Sequence, residues 1–346
     1  LDEADIDAFI CYSSPNYRYL SGFTGSLAVL IISRQRAVIM SDFRYRAQIG
    51  EEVSGYEFVE IKGRPEETVT HQLGDMEIAK LAFESAHLTY RQYAQLKTLE
   101  YLELVPTEDW IEDLRAVKDA GEIALIEKAA AIVDTAIESI IGELRPGMTE
   151  QGVSNRLNTI IRSLGGKKEA FDLIVAAGPR SAMPHASPSN QRELGTGEPI
   201  VIDIGAQCEG YHSDLTRTVW LDTIKETQVL EIYEIVDKAQ AAAIESIQPG
   251  LSCEEVDAIA RDLITEAGYG DFFGHGLGHG VGLDVHESPA ISRLGKGAIR
   301  PGMVFTVEPG IYIPGVGGVR IEDMIVVTQN GCRKLTTAAH QPAIDV

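Results

Sequence analysis

Hydrophobic positions in the first third of the chain come in short runs separated by polar turns. Ala8–Cys11, Leu27–Ser33, Ala37–Ser41, Tyr56–Ile61, Lys80–Glu84 and Leu102–Val105 read as strands, because they are rich in Val, Ile and aromatic residues and are bounded by turn formers. Pro65–Leu73 and Thr89–Glu100 carry a helical pattern between them. This part, residues 1–113, is predicted to be an α/β domain.

Around Trp110–Lys118 the period changes, and a second domain, residues 114–346, is predicted to begin. From Asp119 to Glu143 apolar residues fall at 123, 125, 126, 129, 130, 132, 133, 136, 137 and 140, the stripe of a long helix. Arg145-Pro146-Gly147 ends it, and Thr149 opens a second helix to about Leu164. The same order then recurs. Pro146-Gly147-Met148-Thr149, with Val153 and Gly165, is echoed at one constant offset by Pro249-Gly250-Leu251-Ser252, with Val256 and Gly268. Both copies follow Ala-Ile-Glu-Ser-Ile, and Ser252 with Glu255 forms a capping box. Two duplicated halves are therefore predicted, with a site at their shared interface. The runs Phe171–Ala177, Pro199–Ala206, Tyr211–Leu221, Met303–Glu308 and Val319–Thr328 supply strands. The second domain thus reads as α+β, helices on a mostly antiparallel sheet.

Charge and composition then narrow the chemistry. The 346 residues carry a net charge of −22, which argues against nucleic acid, whose phosphates require a basic surface. No apolar run approaches the ~18 residues of a membrane span. LDEADIDAFI lacks the basic and apolar regions of a secretory signal. Cys11, Cys208, Cys253 and Cys332 are scattered, as expected for free thiols in a cytoplasmic protein.

Candidate chemistry is concentrated in three places. Gly274–Pro289, GHGLGHGVGLDVHESP, holds His275, His279 and His286 among glycines, which disfavour a helix and let other groups approach closely. Asp203 and Asp214 sit on strands that a hairpin turning between Cys208 and Glu209 would bring opposite each other. A turn centred on Gly315 would do the same for Glu308 and Glu322. Like charges directly opposed across strands are unfavourable. Four carboxylates and an imidazole match two neighbouring divalent cations instead, which ~3.5–4 Å apart share carboxylates and hold a hydroxide nucleophile. Isolated His71 and His87 are expected at the surface, and His212 in a structural role.

At these residues the chain resembles the pita-bread dinuclear metallopeptidases, which include aminopeptidase P, prolidase and methionine aminopeptidase. DIG, Y-x-SDLTRT, GHGLGHGVGLDVHE, VEPGIY and VRIEDM occur in that family's order from about Arg115 onward. Residues Ser14–Ser26 (SPNYRYLSGFTGS) and Ser41–Tyr45 (SDFRY) resemble the creatinase-type N-terminal domain of the proline-specific branch. The resemblance implies that Asp203, Asp214, His279, Glu308 and Glu322 hold two divalent metals, Mn first, with Co, Zn or Fe as alternatives. Asp203 would chelate one metal, Asp214 and Glu322 would bridge, and His279 and Glu308 would complete the other. It further implies catalytic parts for His185, His286 and Glu308, and substrate-side positions for His275, Tyr312 and Arg320. The implied activity is metal-dependent cleavage after the first residue of peptides with proline second (Xaa-Pro aminopeptidase), by a homodimer. The Xaa-Pro dipeptidase, methionine aminopeptidase and a catalytically silent binding protein are the alternatives. Creatinase shares both domains but lacks the metal ligands.

Overall fold

The computed structural model describes residues 5–340 and 342–345. The chain divides into one unit up to Arg115 and a second from Ala116. The first unit is a mixed six-stranded sheet in the order Glu57–Glu60, Ala37–Ser41, Val29–Ser33, Ala8–Cys11, Lys80–Glu84, Glu103–Thr107. Alternation along its strands fills two cores. Ala8, Ile10, Ile31, Val38 and Leu81 face one side, and Phe9, Leu30, Ile39 and Ala82 face the other. Pro65–Asp75 and Tyr90–Leu96 are helical as predicted, the second opened by a capping box between Thr89 and Gln92. Two short helices, Ser14–Ser21 and Arg46–Glu52, were not predicted. The first buries only Asn16 and Tyr17 and the second only Ile49, so neither has an apolar stripe to read.

The second unit repeats one plan twice. Helix Ala120–Glu143, N-capped by Asp119, is followed by helix Glu150–Ser163, N-capped by Thr149. They pack on the strands Ile174–Ala177, Ile200–Ile204 and Leu215–Leu221. In the second copy Thr227–Ser246 and Cys253–Glu266, the latter opened by the Ser252/Glu255 box, cover a sheet of Glu287–Ile291, Gly278–Gly280, Val304–Val307, Asp323–Thr328 and Gly331–Lys334. Among the described strands of this unit only the Leu215–Leu221/Ala343–Ile344 pair is parallel. No helix among the described residues is long and apolar enough to cross a membrane.

The pleat sorts each sheet into two functional sets. Ile200, Ile202, Ile204, Leu215 and Val219 face their own helices, so Asp203, Asp214 and Thr216 point to the other face. Phe305, Val307, Ile325 and Val327 likewise face the second helix pair, which turns Thr306, Glu308 and Glu322 inward. Both candidate carboxylate pairs therefore face the seam between the halves.

The two predicted registers fare differently. Glu209 and Gly210, both at positive φ, form the tight turn between paired Cys208 and Tyr211. That lies one residue beyond the predicted turn, so Asp203 pairs with Thr216 rather than Asp214. A one-residue displacement of the turn shifts the register by two, which keeps Asp214 on the same face as a diagonal neighbour. The second hairpin follows its predicted register. Val307↔Asp323 and Gly310↔Arg320 bracket Glu308 and Glu322, leaving them level in the gap between two ladders.

A buried ion cluster closes the sheet behind Glu322. The Asp323 carboxylate accepts from Arg217 Nη2 (2.7 Å), Gln240 Nε2 (2.8 Å), Thr336 Oγ1 (2.9 Å) and Lys334 Nζ (2.7 Å), with His340 Nε2 at 3.2 Å. Burial alone would raise this carboxyl, but His340, Arg217 and Lys334 together hold it far below the ordinary carboxylate range. Its contribution is present above the unfolded carboxyl pKa of ~3.9 and is lost as pH falls below it. Asp323→Asn is therefore expected to cost about 3–5 kcal/mol at pH 7. In urea unfolding the gap to the parent protein should narrow below about pH 4; a gap that does not change with pH would contradict this.

Candidate metal centre

Glycines set the geometry of the histidine stretch. Gly278–Gly280 is a strand pressed between two neighbours. A Cβ on Gly278 would lie 1.9 Å from Thr306 O, and one on Gly280 2.1 Å from Ser288 O. Only glycine permits this approach, and it delivers His279 between them to the seam. The other two histidines lie on the flanking loops.

The seam opens into a cavity of about 750 Å³. Asp203, Asp214, His279, Glu308 and Glu322 all line it, as do His185, His275, His286 and Arg320. Ligand atoms of Asp214, His279 and Glu322 lie within 4.8 Å of one another. His279 Nε2 is 3.6 Å from Asp214 Oδ2 and 3.4 Å from Glu308 Oε1. His279 Nδ1 is 3.1 Å from Gly280 O, so the neutral ring donates there and turns the Nε2 lone pair toward the carboxylates. Thr216 Oγ1 donates to Glu322 (2.7 Å) and Thr306 Oγ1 to Glu308 (3.2 Å).

Among the described residues one cationic side chain is bonded to this cluster. Arg320 Nη2 donates to Asp203 Oδ2 at 2.6 Å, Nε to Thr216 Oγ1 at 3.1 Å and Nη1 to Tyr312 Oη at 2.9 Å. Tyr312 does not itself line the cavity. Its buried hydroxyl lies 2.9 Å from His275 Nε2, so arginine, tyrosine and histidine form a short chain of donors. His286 lies beside His279 with ring centroids 4.1 Å apart and the planes tilted by 47°. His185 is exposed at the mouth.

The electrostatics follow from this inventory. Burial first, then Glu322, Asp203 and Glu308, push the Asp214 carboxyl well above its usual range. Glu322 is raised in the same way by burial, Glu308 and Asp203. Glu308 is raised by burial against the opposing pull of His275 and Arg320. Burial lowers His275, His279 and His286 toward the neutral form. Burial likewise pushes the Tyr312 phenol up to about 12.

This donor set fits divalent cations. Asp203 Oδ1 is buried with no hydrogen-bond partner, and buried acceptors are otherwise satisfied. Lone pairs of a neutral imidazole and several carboxylates converge where no donor stands between them. Oxygen-rich ligands with one imidazole suit hard or borderline divalent metals.

Comparison with known proteins agrees. Residues 124–329 match metallopeptidase family M24, and residues 1–117 match the creatinase/prolidase N-terminal domain. The chain belongs to metallopeptidase family M24. This M24 chain is 40% identical to an Xaa-Pro dipeptidase of Pyrococcus horikoshii over 339 residues, 97% of this chain and 94% of that protein. Its structure is similar to the Xaa-Pro dipeptidase from Bacillus anthracis, with a TM-score of 0.96, 42% identity and coverage of 100% and 96% of the two chains. It is also similar to the X-Pro aminopeptidase from Thermotoga maritima, with a TM-score of 0.90, 36% identity and coverage of 99% and 98%. The M24 chain is thus a metal-dependent exopeptidase with the pita-bread catalytic fold.

Several supporting residues escaped the sequence reading. Thr216 and Thr306 orient carboxylates, and Lys118 pairs with buried Glu287 beside His286 at 2.7 Å. The inward phase of Thr216 and Thr306 on strands carrying the acids was the available signal. His212 is structural as expected, with Nε2 2.9 Å from Gln207 Nε2 and Nδ1 3.1 Å from Gly282 O. His71 and His87 are exposed.

Without metal the cluster is self-repelling. Asp214→Asn is expected to raise the stability of the chelator-treated protein at pH 8 by about 1 kcal/mol, roughly 2–4 °C in Tm. A lowered Tm in calorimetry would show that the repulsion is already relieved within the chain.

Proposed function

We propose that this M24 chain hydrolyses the bond between the first residue and a following proline, with Asp203, Asp214, His279, Glu308 and Glu322 holding two divalent metals. The observation that carries this is the cluster of carboxylates and one imidazole, orphaned Asp203 Oδ1 included, at the floor of a cavity lined by three further histidines. Asp214 and Glu322, close together and both raised in pKa, would be the ligands shared between the two metals. Mn is the first choice because four of the five ligands are carboxylates. Bound metals supply Lewis acidity and lower the pKa of the attacking water toward neutrality.

The chain's own groups do the rest. His286, lowered toward the neutral form by burial, and His185 offer N–H donors where the carbonyl oxygen gains charge. Glu308, its carboxyl raised by burial, would accept the proton of the attacking water and pass it to the leaving proline nitrogen. The Xaa-Pro bond has no N–H, so the substrate asks for no acceptor there. The wall formed by Phe171, Leu173, Ile174 and Pro184 gives apolar surface for the ring. The free amino group of the substrate sits beside the carboxylates, which confines cleavage to the N-terminus.

Dipeptides are proposed as the first substrates, because relatives named Xaa-Pro dipeptidases are 40% and 42% identical over nearly the whole chain. The aminopeptidase reading, placed first by the sequence alone, is kept as the second on the likeness to the Thermotoga maritima X-Pro aminopeptidase. A cytoplasmic location is supported by four cysteines, none in a disulfide. A homodimer rests on the family resemblance.

The test uses protein reloaded with Mn, an Xaa-Pro dipeptide and an Xaa-Pro-Xaa tripeptide. Chelator-sensitive release of the first residue is expected, faster from the dipeptide; faster tripeptide cleavage selects the aminopeptidase, and cleavage insensitive to chelator overturns the reading. His279→Ala is expected to lower kcat/KM at least about a thousandfold, as for loss of an essential catalytic group. Because ligands must be deprotonated, metal binding should release protons near pH 7 and tighten as pH rises. Calorimetry in buffers of different ionisation enthalpy measures that release, and zero release would contradict the raised carboxyl pKa values.

A further inference from the structure

We infer that each half of the catalytic unit carries a buried carboxylate–arginine latch, Asp257–Arg261 in one and Glu150–Arg180 in the other, and that these are positioning residues for His275 and His185. The inference rests on the proposed site, since it concerns the two histidines on its loops. Both carboxylates come from the N-terminal part of the second helix of their half, and both are buried, Glu150 at 0% and Asp257 at 1% exposure.

In the second half Asp257 Oδ1 accepts Leu277 N at 2.9 Å, the backbone where the His275 loop rejoins the sheet. Arg261 binds the same carboxylate through Nε (2.6 Å) and Nη2 (2.7 Å). Its remaining donors reach Phe273 O (3.0 Å) and His275 O (2.7 Å), and its guanidinium stacks 4.1 Å over the Phe273 ring. Segment 273–277 is thus held at both ends by one ion pair. In the first half Glu150 spans the segment bearing His185. Its oxygens accept Ala177 N at the entry (2.8 Å) and Ser189 N at the exit (3.0 Å). Arg180 Nε closes on Glu150 at 3.0 Å, and Nη2 donates to Ser187 O at 2.6 Å.

Neither pair supplies a proposed metal ligand. What they fix is loop backbone, through a planar fork that lysine cannot reproduce. A site on loops needs such support, because small displacements of positioning groups cost about a hundredfold in rate.

Arg261→Lys and Arg180→Lys keep the charge and remove the fork. The Mn-loaded protein is assayed for kcat and KM on the Xaa-Pro dipeptide, and calorimetry gives Mn affinity and Tm. Side-chain 15N spectra report the imidazoles. Each variant is expected to lose about ten- to a hundredfold in kcat/KM, with Mn affinity within twofold of the parent. The His275 resonances should move only in Arg261→Lys, and those of His185 only in Arg180→Lys. Unchanged kinetics, or losses that follow Mn affinity or Tm, would overturn the latches. Asp257→Asn is the second variant for its half should Arg261→Lys fail to fold. If the parent protein cleaves no Xaa-Pro substrate the functional reading fails, while the imidazole spectra still decide the latches.

Discussion

Carboxylates removed from water need positive charge close by, and among the described residues one arginine side chain is bonded to a group of four. Asp203, Asp214, Glu308 and Glu322 share one cavity floor, and Arg320 is bonded to Asp203 alone among them. The cost of such an arrangement is several kcal/mol per uncompensated ion, so it persists only because the surrounding structure enforces it. The enforcement runs across the seam between the halves. Glu322 N donates to Thr216 O, Thr218 Oγ1 bonds both the carbonyl and the amide of Arg320, and Arg217 Nη1 donates to Glu322 O at 2.6 Å. The first half thereby fixes the backbone at Arg320 and Glu322, and the Arg320 side chain reaches back to Asp203. The cations of the proposed function would then relieve a strain that folding itself creates.

Duplication explains how one chain arrives at this arrangement. Each half is a pair of helices over a sheet, and a sheet buried on one face by helices has its second face left to cover. Placing two such sheets together covers both. The alternating residues at that interface are neither wholly apolar nor solvated. Thr216, Thr306 and Met324 stand among the acids and donate or pack there. The cavity lies where the two sheets do not close fully, so the fold produces a concave site at its own interface.

How far the sequence disclosed this depended on the range of the interaction. Periodicity within one element was legible, as the Asp119-capped helix and the Ser252/Glu255 box show. So was the glycine spacing around His279, since close backbone approach leaves no residue but glycine. Register was harder. One hairpin turned at Glu209-Gly210 rather than a residue earlier, and a chain of polar residues offers no apolar pattern to decide between the two. The short helices at Ser14 and Arg46 lacked an apolar stripe; Asn16 is held instead by Glu84 across the fold at 2.7 Å. Asp257 and Arg261 have the i,i+4 spacing of a helical ion pair, but its docking onto the His275 loop was invisible because nothing local marks which backbone the pair will meet.

The division of labour between strands and loops has a consequence for how the site can vary. Asp203, His279 and the residues flanking Glu308 and Glu322 belong to ladders whose hydrogen bonds and core contacts fix position to within the pleat. His185, His275 and His286 stand outside those ladders, on segments held by discrete ion pairs, Glu150–Arg180, Asp257–Arg261 and Lys118–Glu287. The two sets still touch in the second half, where Glu308 N donates to Leu277 O at 2.8 Å and ties the His275 segment to one of the acids. The acids and the histidines are therefore positioned by largely different sets of bonds in this fold. A lineage could re-aim the histidine loops toward a longer or shorter substrate while the carboxylate floor stayed as it is. That separation gives a physical reason why chains as similar as the dipeptidase and aminopeptidase relatives share one scaffold and differ in what they are named for cleaving.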